Sequence, residues 1–139
     1  MRSPSRKAEL ALMPPVYDFA WPMLCAIRKL GNTTRDRLES AAFEQMGLSA
    51  EQLRIYKPDK TQREASNRAW WAVTYLKWAR LVEDPETSGG YRLTKWSREL
   101  FSGTTPEAER RAYVTGAVWG ALRTEEGIQT KRIKAPNRR

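Results

Sequence analysis

The chain has 139 residues, 40% of them hydrophobic, so a single domain with a compact core is expected. A formal net charge of +9 favours a polyanionic partner, most often nucleic acid, although basic tails that only aid solubility would give the same balance. One cysteine, no histidine and no run of about 18 apolar residues exclude an internal disulfide, a Ser-His-Asp triad and a membrane span, and they indicate a cytoplasmic protein without a metal site.

A basic stretch precedes the first predicted helix. Residues 1–13 are expected to form a flexible, basic N-terminus. Apolar residues then recur at a helical spacing from Val16 to Leu30, and Gly31 follows as a glycine that ends a helix. Thr33, with Asp36 three residues later, has the form of a capping box and predicts where the second helix begins.

The second helix and the segment after it lead to the centre of the chain. Gly47 predicts the end of the second helix, and Ser49 begins another short helical piece. Residues 56–61 are expected to form a loop that precedes a central helix spanning about residues 62–79. The single cysteine, Cys25, lies among aliphatic residues and is expected to be an inert core residue.

The central helix has two distinct faces. Small and aliphatic residues form one stripe that predicts contact with the core: Ala65, Ala69, Ala72, Val73, Leu76 and Ala79. The opposite stripe is polar near the helix start and aromatic further along: Arg63, Asn67, Trp71, Thr74 and Trp78. We expect the C-terminal half to be enclosed, with Trp71 and Trp78 packed in the core, and the N-terminal half to be offered to a ligand.

Two short strands and two further helices are predicted after the central helix. Turn-forming residues 84–90 separate strands at 81–83 and 91–93, which together would form a wing. A short helix over 94–101 begins with a threonine cap, and a last helix over 106–122 begins with proline in its first turn.

These elements predict a mainly α (α+β) fold: a winged helix-turn-helix with a three-helix core, a two-stranded wing and additional C-terminal helices. The expected organisation is a basic N-terminus at 1–13, a winged-helix domain at 14–102, an additional C-terminal helix at 103–122 and a basic tail at 123–139. In such a fold the start of the recognition helix enters the major groove of DNA.

The block from Asn67 to Leu81, with the sequence NRAWWAVTYLKWARL, resembles the N-terminal domain of Mrr-type restriction proteins. That family has an Asn-Arg-x-x-Trp-Ala-x-x-Tyr-Leu block, then Ala-Gly-Leu, then a wing that closes on an aromatic-x-Leu/Ile-Thr segment, here residues 91–94. The resemblance covers about residues 14–102. Two family glycines are replaced, by Trp70 and by Arg80. Trp70 would fill a groove or form a surface patch, and Arg80 would either adopt the left-handed conformation or end the helix differently.

The resemblance implies a module that binds double-stranded DNA. In Mrr-type proteins this domain is usually joined to a nuclease domain of the PD-(D/E)xK type, and some members act on DNA with modified bases. This chain contains no Asp-x-Lys or Glu-x-Lys tripeptide, so we predict no catalytic residue, no metal and no cofactor. The expected partners are double-stranded DNA, including modified DNA, together with a nuclease domain or subunit or a second copy of the chain.

Residues around the start of the central helix are the predicted DNA contacts: Lys57, Lys60, Thr61, Gln62, Arg63, Ser66, Asn67 and Arg68. Arginine and amide side chains in this set suit base edges, whereas the lysines and hydroxyl groups suit phosphates. The alternative is a solvated helix start capped by Thr61. For Arg68, an ion pair with a buried acid is an equal alternative.

In the wing, Thr87, Ser88 and Arg92 are placed to contact the backbone or the minor groove, unless the wing is a plain hairpin. A protein-interaction or dimerisation module is the competing function, with Trp70 and the helix over 106–122 as its contact surface.

Overall fold

The computed structural model describes residues 5–84 and 90–131, with side chains up to residue 121. The helices in chain order are α1 (Arg6–Ala11), a 3-10 turn (Val16–Phe19), α2 (Ala20–Leu30), α3 (Arg35–Met46), α4 (Ala50–Leu53), α5 (Glu64–Trp78), α6 (Lys95–Ser102) and α7 (Glu107–Lys131). The described part of the chain is therefore mainly helical, as predicted.

The core lies where α2, α3, α5 and α7 meet. The largest fully buried apolar side chains come from all four helices and from the segments beside them: Phe19, Met23, Leu24, Ile27, Leu38, Leu76, Leu81, Val114 and Val118. Burying each such side chain contributes about 2 kcal/mol relative to leaving it in water. The helix α7 packs against α5, α2 and the 3-10 turn, so it belongs to this core rather than standing apart from it.

The first predicted helix is divided in two. Residues Val16–Phe19 form the 3-10 turn, and the α-helix begins only at Ala20. Pro22 lies in the first turn of α2 and has no N–H to donate to the carbonyl of Asp18, so a regular α-helix cannot extend back through this position. Gly31 ends α2 with a φ of 62°, as its type predicted.

The start of α3 differs from the prediction by one residue. The side chain of Thr34, not Thr33, caps the helix, and it accepts a hydrogen bond from the backbone N–H of Arg37 at 3.3 Å. The end at Gly47 is as predicted, with a φ of 69° and a bond from the N–H of Leu48 to the carbonyl of Phe43. Ser49 caps α4 in a complete capping box with Gln52.

Arg80 takes the place of a glycine at the end of α5. Its φ is 64°, and its N–H donates to the carbonyl of Lys77 while the N–H of Leu81 donates to that of Leu76. These are the two bonds of a Schellman motif, the same motif that ends α3 at Gly47. Of the two alternatives for Arg80, the structure has the left-handed one, which costs a non-glycine residue about 1 kcal/mol.

The predicted two-stranded wing is not confirmed. Among the described residues, its two segments meet at a single antiparallel bridge between Val82 and Leu93. Two backbone bonds flank this bridge, from the N–H of Glu83 to the carbonyl of Arg92 and from the N–H of Thr94 to the carbonyl of Leu81. The carbonyls of Arg80 and Leu81 also accept from the hydroxyl groups of Thr94 and Ser97. The predicted turn tip with Thr87 and Ser88 lies outside the described residues.

Both ends of the chain are more helical than expected. Residues Arg6–Ala11, predicted to be flexible, form α1, and Met13 is buried. The last helix continues to Lys131, beyond its predicted end near Leu122 and into the predicted tail.

Candidate nucleic-acid interface

The helix α5 presents one face to the core and the other to solvent. Its buried residues follow the predicted stripe, with Ala65, Ala69 and Ala72 fully enclosed. On the opposite face, Asn67 and Thr74 are half-buried and Trp71 is exposed. A helix held by one side in this way leaves the other side free for a ligand.

Two aromatic residues predicted to lie in the core are exposed. Trp71 retains 43% of its accessible surface and Trp78 retains 39%. Tyr75 lies between them on the helix, with ring centroids 5.9 Å from Trp71 and 5.7 Å from Trp78. The prediction was wrong because helical spacing alone does not show which side of an aromatic stripe the neighbouring helices cover.

Glu39 of α3 is the centre of a polar cluster beneath the start of α5. It is 8% exposed, and its Oε1 accepts from the hydroxyl of Ser66 while its Oε2 accepts from Trp70 Nε1 at 2.8 Å. The Nη2 of Arg63 lies 3.5 Å from Oε1. Each carboxylate oxygen therefore has a donor, as a buried charge requires.

A second buried carboxylate, Glu64, is the first residue of α5. It is 6% exposed and forms an ion pair with Arg6 of α1, with 3.0 Å between Oε1 and Nη2. Its Oε2 is buried without a hydrogen-bond partner. The same arginine also donates to the carbonyl of Tyr56, so α1 is fastened to the loop that leads into α5.

The loop before α5 is closed into a turn. Tyr56 and Arg63 form a bridge, and the N–H of Lys57 donates to the carbonyl of Gln62 at 3.0 Å. Lys60 has a φ of 58° at the tip. The turn thereby projects the side chains between its two ends away from the core.

The one acid within this turn is Asp59. The backbone N–H and the hydroxyl of Thr61 both donate to its carboxylate, and these bonds lower the pKa of Asp59 from its ordinary value. Thr61 is thus occupied by Asp59 and does not cap α5, whose first turn is preceded by Arg63 without a side-chain cap bond. The alternative in which Thr61 is the N-cap is wrong.

The predicted contact residues occupy three different environments. Lys60, Thr61, Gln62 and Arg92 are exposed, and Lys57, Arg63, Asn67 and Arg68 are half-buried. Gln62 donates to the side-chain oxygen of Asn67 at 3.2 Å, so these two amides form a pair at the helix start. Ser66 is buried, and its hydroxyl hydrogen is committed to Glu39, which leaves no free donor for a phosphate in this arrangement.

Arg68 does not form the ion pair with a buried acid that was one of its two alternatives. Its Nη1 donates to the carbonyl of Pro14 at 2.8 Å, with Met13 at 3.4 Å, so it binds backbone rather than a buried acid. Its guanidinium joins the N-terminal segment to α5.

Trp70 fills a groove rather than forming a surface patch. The guanidinium carbon of Arg35 lies 4.1 Å from the centre of its ring, and Tyr91 packs on it with 5.2 Å between ring centroids. Together with its bond to Glu39, these contacts join α3, α5 and the segment that contains Tyr91. Trp70 is therefore a structural residue of this surface.

Sequence reasoning missed Glu39. Its partners lie between 24 and 31 positions away, from Arg63 to Trp70, so no local motif connects them. One signal was present: Glu39 shares a helix face with the buried residues Ala42 and Phe43, three and four positions on, where a charged residue needs a partner.

Cys25 is half-buried, and burial raises the pKa of its thiol above the ordinary value, although a hydrogen bond from Gln45 acts in the opposite direction. A raised pKa reduces the reactive thiolate fraction at neutral pH, in keeping with the expected inert cysteine.

The fold is thus a mainly helical domain in which the outer face of α5, beside a lysine-bearing turn, is available to a ligand. Residues 17–102, more than half of the chain, match the family model of the Mrr N-terminal domain, and the chain belongs to this family. No curated protein and no solved structure gave a significant match.

Two kinds of feature are absent from the described residues. None of their helices combines the length and the apolar character needed to cross a membrane. Nor do they contain a group of three or more metal-ligating side chains placed to hold an ion.

Proposed function

We propose that this domain binds double-stranded DNA as a winged-helix module, with α5 in the major groove and the turn before it on the phosphate backbone. Membership of the Mrr N-terminal domain family supports the proposal, and the face of α5 opposite the core supplies a surface for it. Association with a nuclease domain or subunit belongs to the same proposal.

The observation that carries the proposal is the inward orientation of the two carboxylates at the start of α5. Glu39 and Glu64 are both buried, and each is neutralised by an arginine, Arg63 or Arg6. These two carboxylates therefore add little negative charge to the outer surface at the helix start. Asp59 is the exposed acid of the turn, and Lys57 and Lys60 on either side of it outnumber its charge. A cationic surface at a helix N-terminus attracts phosphate groups.

Base reading is assigned to the amide pair and to the middle of α5. Gln62 and Asn67 have side chains that can form two hydrogen bonds with adenine. Trp71, one turn beyond Asn67, supplies an exposed aromatic ring that can contact methyl groups in the groove. Through the ring of Trp71, we expect α5 to distinguish DNA with methylated cytosine or adenine from unmodified DNA.

The experiment is equilibrium binding of labelled duplexes, unmodified or methylated, over a salt series. The salt slope is the steepness with which the logarithm of the binding constant falls with the logarithm of the salt concentration. Lys60→Gln removes one phosphate contact and is expected to lower this slope by about 0.9 on every duplex. Asn67→Ala is expected to weaken binding in a manner that depends on the sequence, with a nearly unchanged slope. Trp71→Ala is expected to reduce any preference for methylated DNA.

The matched control is Arg111→Gln, which removes one exposed charge from α7. If Arg111→Gln and Lys60→Gln lower the salt slope equally, binding is a property of net charge and the assignment to α5 is wrong. Absence of binding at low salt contradicts the DNA hypothesis altogether.

Dimerisation through α7 is a second candidate, favoured by one specific observation. The outer face of this helix carries small residues, Ala112 and Gly116, between two exposed aromatic side chains, Tyr113 and Trp119. A Cβ added to Gly116 would meet no atom within 4 Å, so no contact among the described residues requires the glycine. Small residues between larger ones allow a second helix to approach closely.

Gly116→Ala distinguishes this candidate because its two expected effects have opposite signs. The monomer gains about 1 kcal/mol of stability from better helix propensity, while a helix-packed dimer dissociates more readily. Sedimentation equilibrium measures the association constant, and urea unfolding at low concentration measures the monomer. A monomer at all concentrations eliminates the candidate.

A further inference from the structure

A basic cleft lies on the other side of the wing from α5. It has a volume of about 410 Å³ and is formed by the end of α2, the returning segment Tyr91–Leu93 and α6. Among the described residues, its charged lining consists of three arginines, Arg28, Arg92 and Arg98, without an acidic side chain. Only Arg92 was anticipated from the sequence.

Two of these guanidinium groups are held in place. The guanidinium carbon of Arg28 lies 4.7 Å from the centre of the Phe101 ring, which in turn stacks on Trp21 with 5.3 Å between centroids. The Nη1 of Arg98 donates to the carbonyl of Leu93 at 2.9 Å. Positioned groups lose less conformational freedom when a ligand binds.

The arginines of the cleft form no ion pair with a described acid, although Glu83 lies beside Arg92, to whose carbonyl its N–H donates. The ion pairs found among the described residues involve Arg6 and Arg63, and none involves an arginine of the cleft. The C-terminus of α2, at Gly31, contributes about half a negative charge, which three guanidinium groups outweigh. The cleft therefore favours an anion.

The cleft is continuous with the proposed DNA surface. Tyr91 lines the cleft and also packs against Trp70 of α5, and Arg35 covers the other part of that ring. One aromatic side chain thus separates the cleft from the helix assigned to the major groove. Guanidinium groups pair with phosphate oxygens in two-point hydrogen bonds, and Arg is preferred to Lys where this geometry matters.

We propose that this cleft binds one phosphate group of the DNA backbone, and so anchors the duplex beside the wing at a distance from the α5 contacts. The proposal rests on the proposed function, because its ligand is a phosphate of the same duplex. It adds Arg28 and Arg98 to the interface and assigns them to positioning the duplex, without a part in sequence recognition.

The test uses Arg28→Gln and Arg92→Gln in the full chain, since neither side chain supports a backbone group by a hydrogen bond found in the structure. Each single variant is expected to lower the salt slope of duplex binding by up to about 0.9, and by the same amount on every DNA sequence. The double variant is expected to lower it by no more than about 0.9, because both arginines contact the same phosphate. Arg111→Gln is the charge-matched control.

Amide chemical shifts distinguish a DNA phosphate from a free one. Duplex DNA is expected to shift the amide signals of Gly31, Leu93 and Ser102, and inorganic phosphate at millimolar concentration is expected to shift them weakly. Saturable binding of inorganic phosphate with no response to duplex would overturn the proposal, because the cleft would then be a site for a free anion.

The two proposals fail in different ways. Sequence-dependent weakening in Asn67→Ala and a lower salt slope in Lys60→Gln, with unchanged salt slopes in Arg28→Gln and Arg92→Gln, would overturn the cleft assignment and leave the α5 assignment standing. A wild-type chain that binds no duplex would overturn both.

Discussion

Glu39 and Glu64 are two buried carboxylates beneath the same helix start, and they are satisfied to different degrees. Glu39 receives donors from Ser66, Trp70 and Arg63, and both of its oxygens are bonded. Glu64 has one arginine, and its second oxygen is buried without a partner. The first carboxylate is a connecting point between helices, whereas the second mainly fastens the N-terminal segment.

This difference shows which buried acid the fold depends on. A buried charge stabilises a fold only when its hydrogen-bonding capacity is used, and removing a shared acceptor leaves several donors without partners. Glu39 is shared by two donors that are largely enclosed, while the partner of Glu64, Arg6, is about one-third exposed and can return to water.

Glu39→Ala is expected to have the largest effect, a loss of about 3 kcal/mol in the free energy of unfolding, because Ser66 and Trp70 lose their acceptor at once. Urea unfolding followed by far-UV circular dichroism measures it. Glu44→Ala, an exposed acid on the same helix, is the control and should be nearly neutral. Equal losses of unfolding free energy in Glu39→Ala and Glu44→Ala would show that the hydrogen bonds to Glu39 do not contribute to stability.

Trp70→Phe comes next, with an expected loss of about 1.5 kcal/mol. Phenylalanine keeps an aromatic ring between Arg35 and Tyr91 but cannot donate to Glu39, so the change isolates mainly the hydrogen bond to a charged acceptor. Trp71→Phe, at the exposed neighbouring position, should leave stability almost unchanged. A neutral Trp70→Phe variant would mean that Glu39 serves Ser66 and Arg63 alone.

Glu64→Gln is expected to have the smallest effect, within about 0.5 kcal/mol. The partly exposed pair with Arg6 contributes little, and neutralising a carboxylate that has one unbonded buried oxygen lowers its desolvation cost. Thermal unfolding compares it with Glu51→Gln, an exposed position on α4. A loss as large as that of Glu39→Ala would reverse the ranking of the two acids.

Features governed by neighbouring residues were the ones that the sequence predicted well. Gly31 and Gly47 end helices and Ser49 begins one through bonds that span only a few residues. The buried stripe of α5 follows from helical spacing in the same way. For this reason the mainly helical fold, and the position of its central helix, could be inferred without coordinates.

Features that depend on distant contacts were not predictable in this way. The sequence did not show that Trp71 faces solvent while the adjacent Trp70 is held by Arg35 and Tyr91, because three separate segments decide it. Ser66 suited a phosphate by type, and only the approach of Glu39 shows that its hydroxyl is occupied. The cleft arginines come from three elements that share no sequence motif.

The segments on either side of the family match have a consequence for where the domain can be cut. Arg68 and Gln52 donate to backbone carbonyls at Pro14 and Leu12, and Val114 and Val118 of α7 are fully buried. An excised fragment limited to residues 17–102 would lose acceptors for a half-buried arginine and expose an apolar face of its core. The autonomous folding unit is therefore larger than the family boundary, and protease-resistant fragments should begin before residue 12 and extend past residue 118.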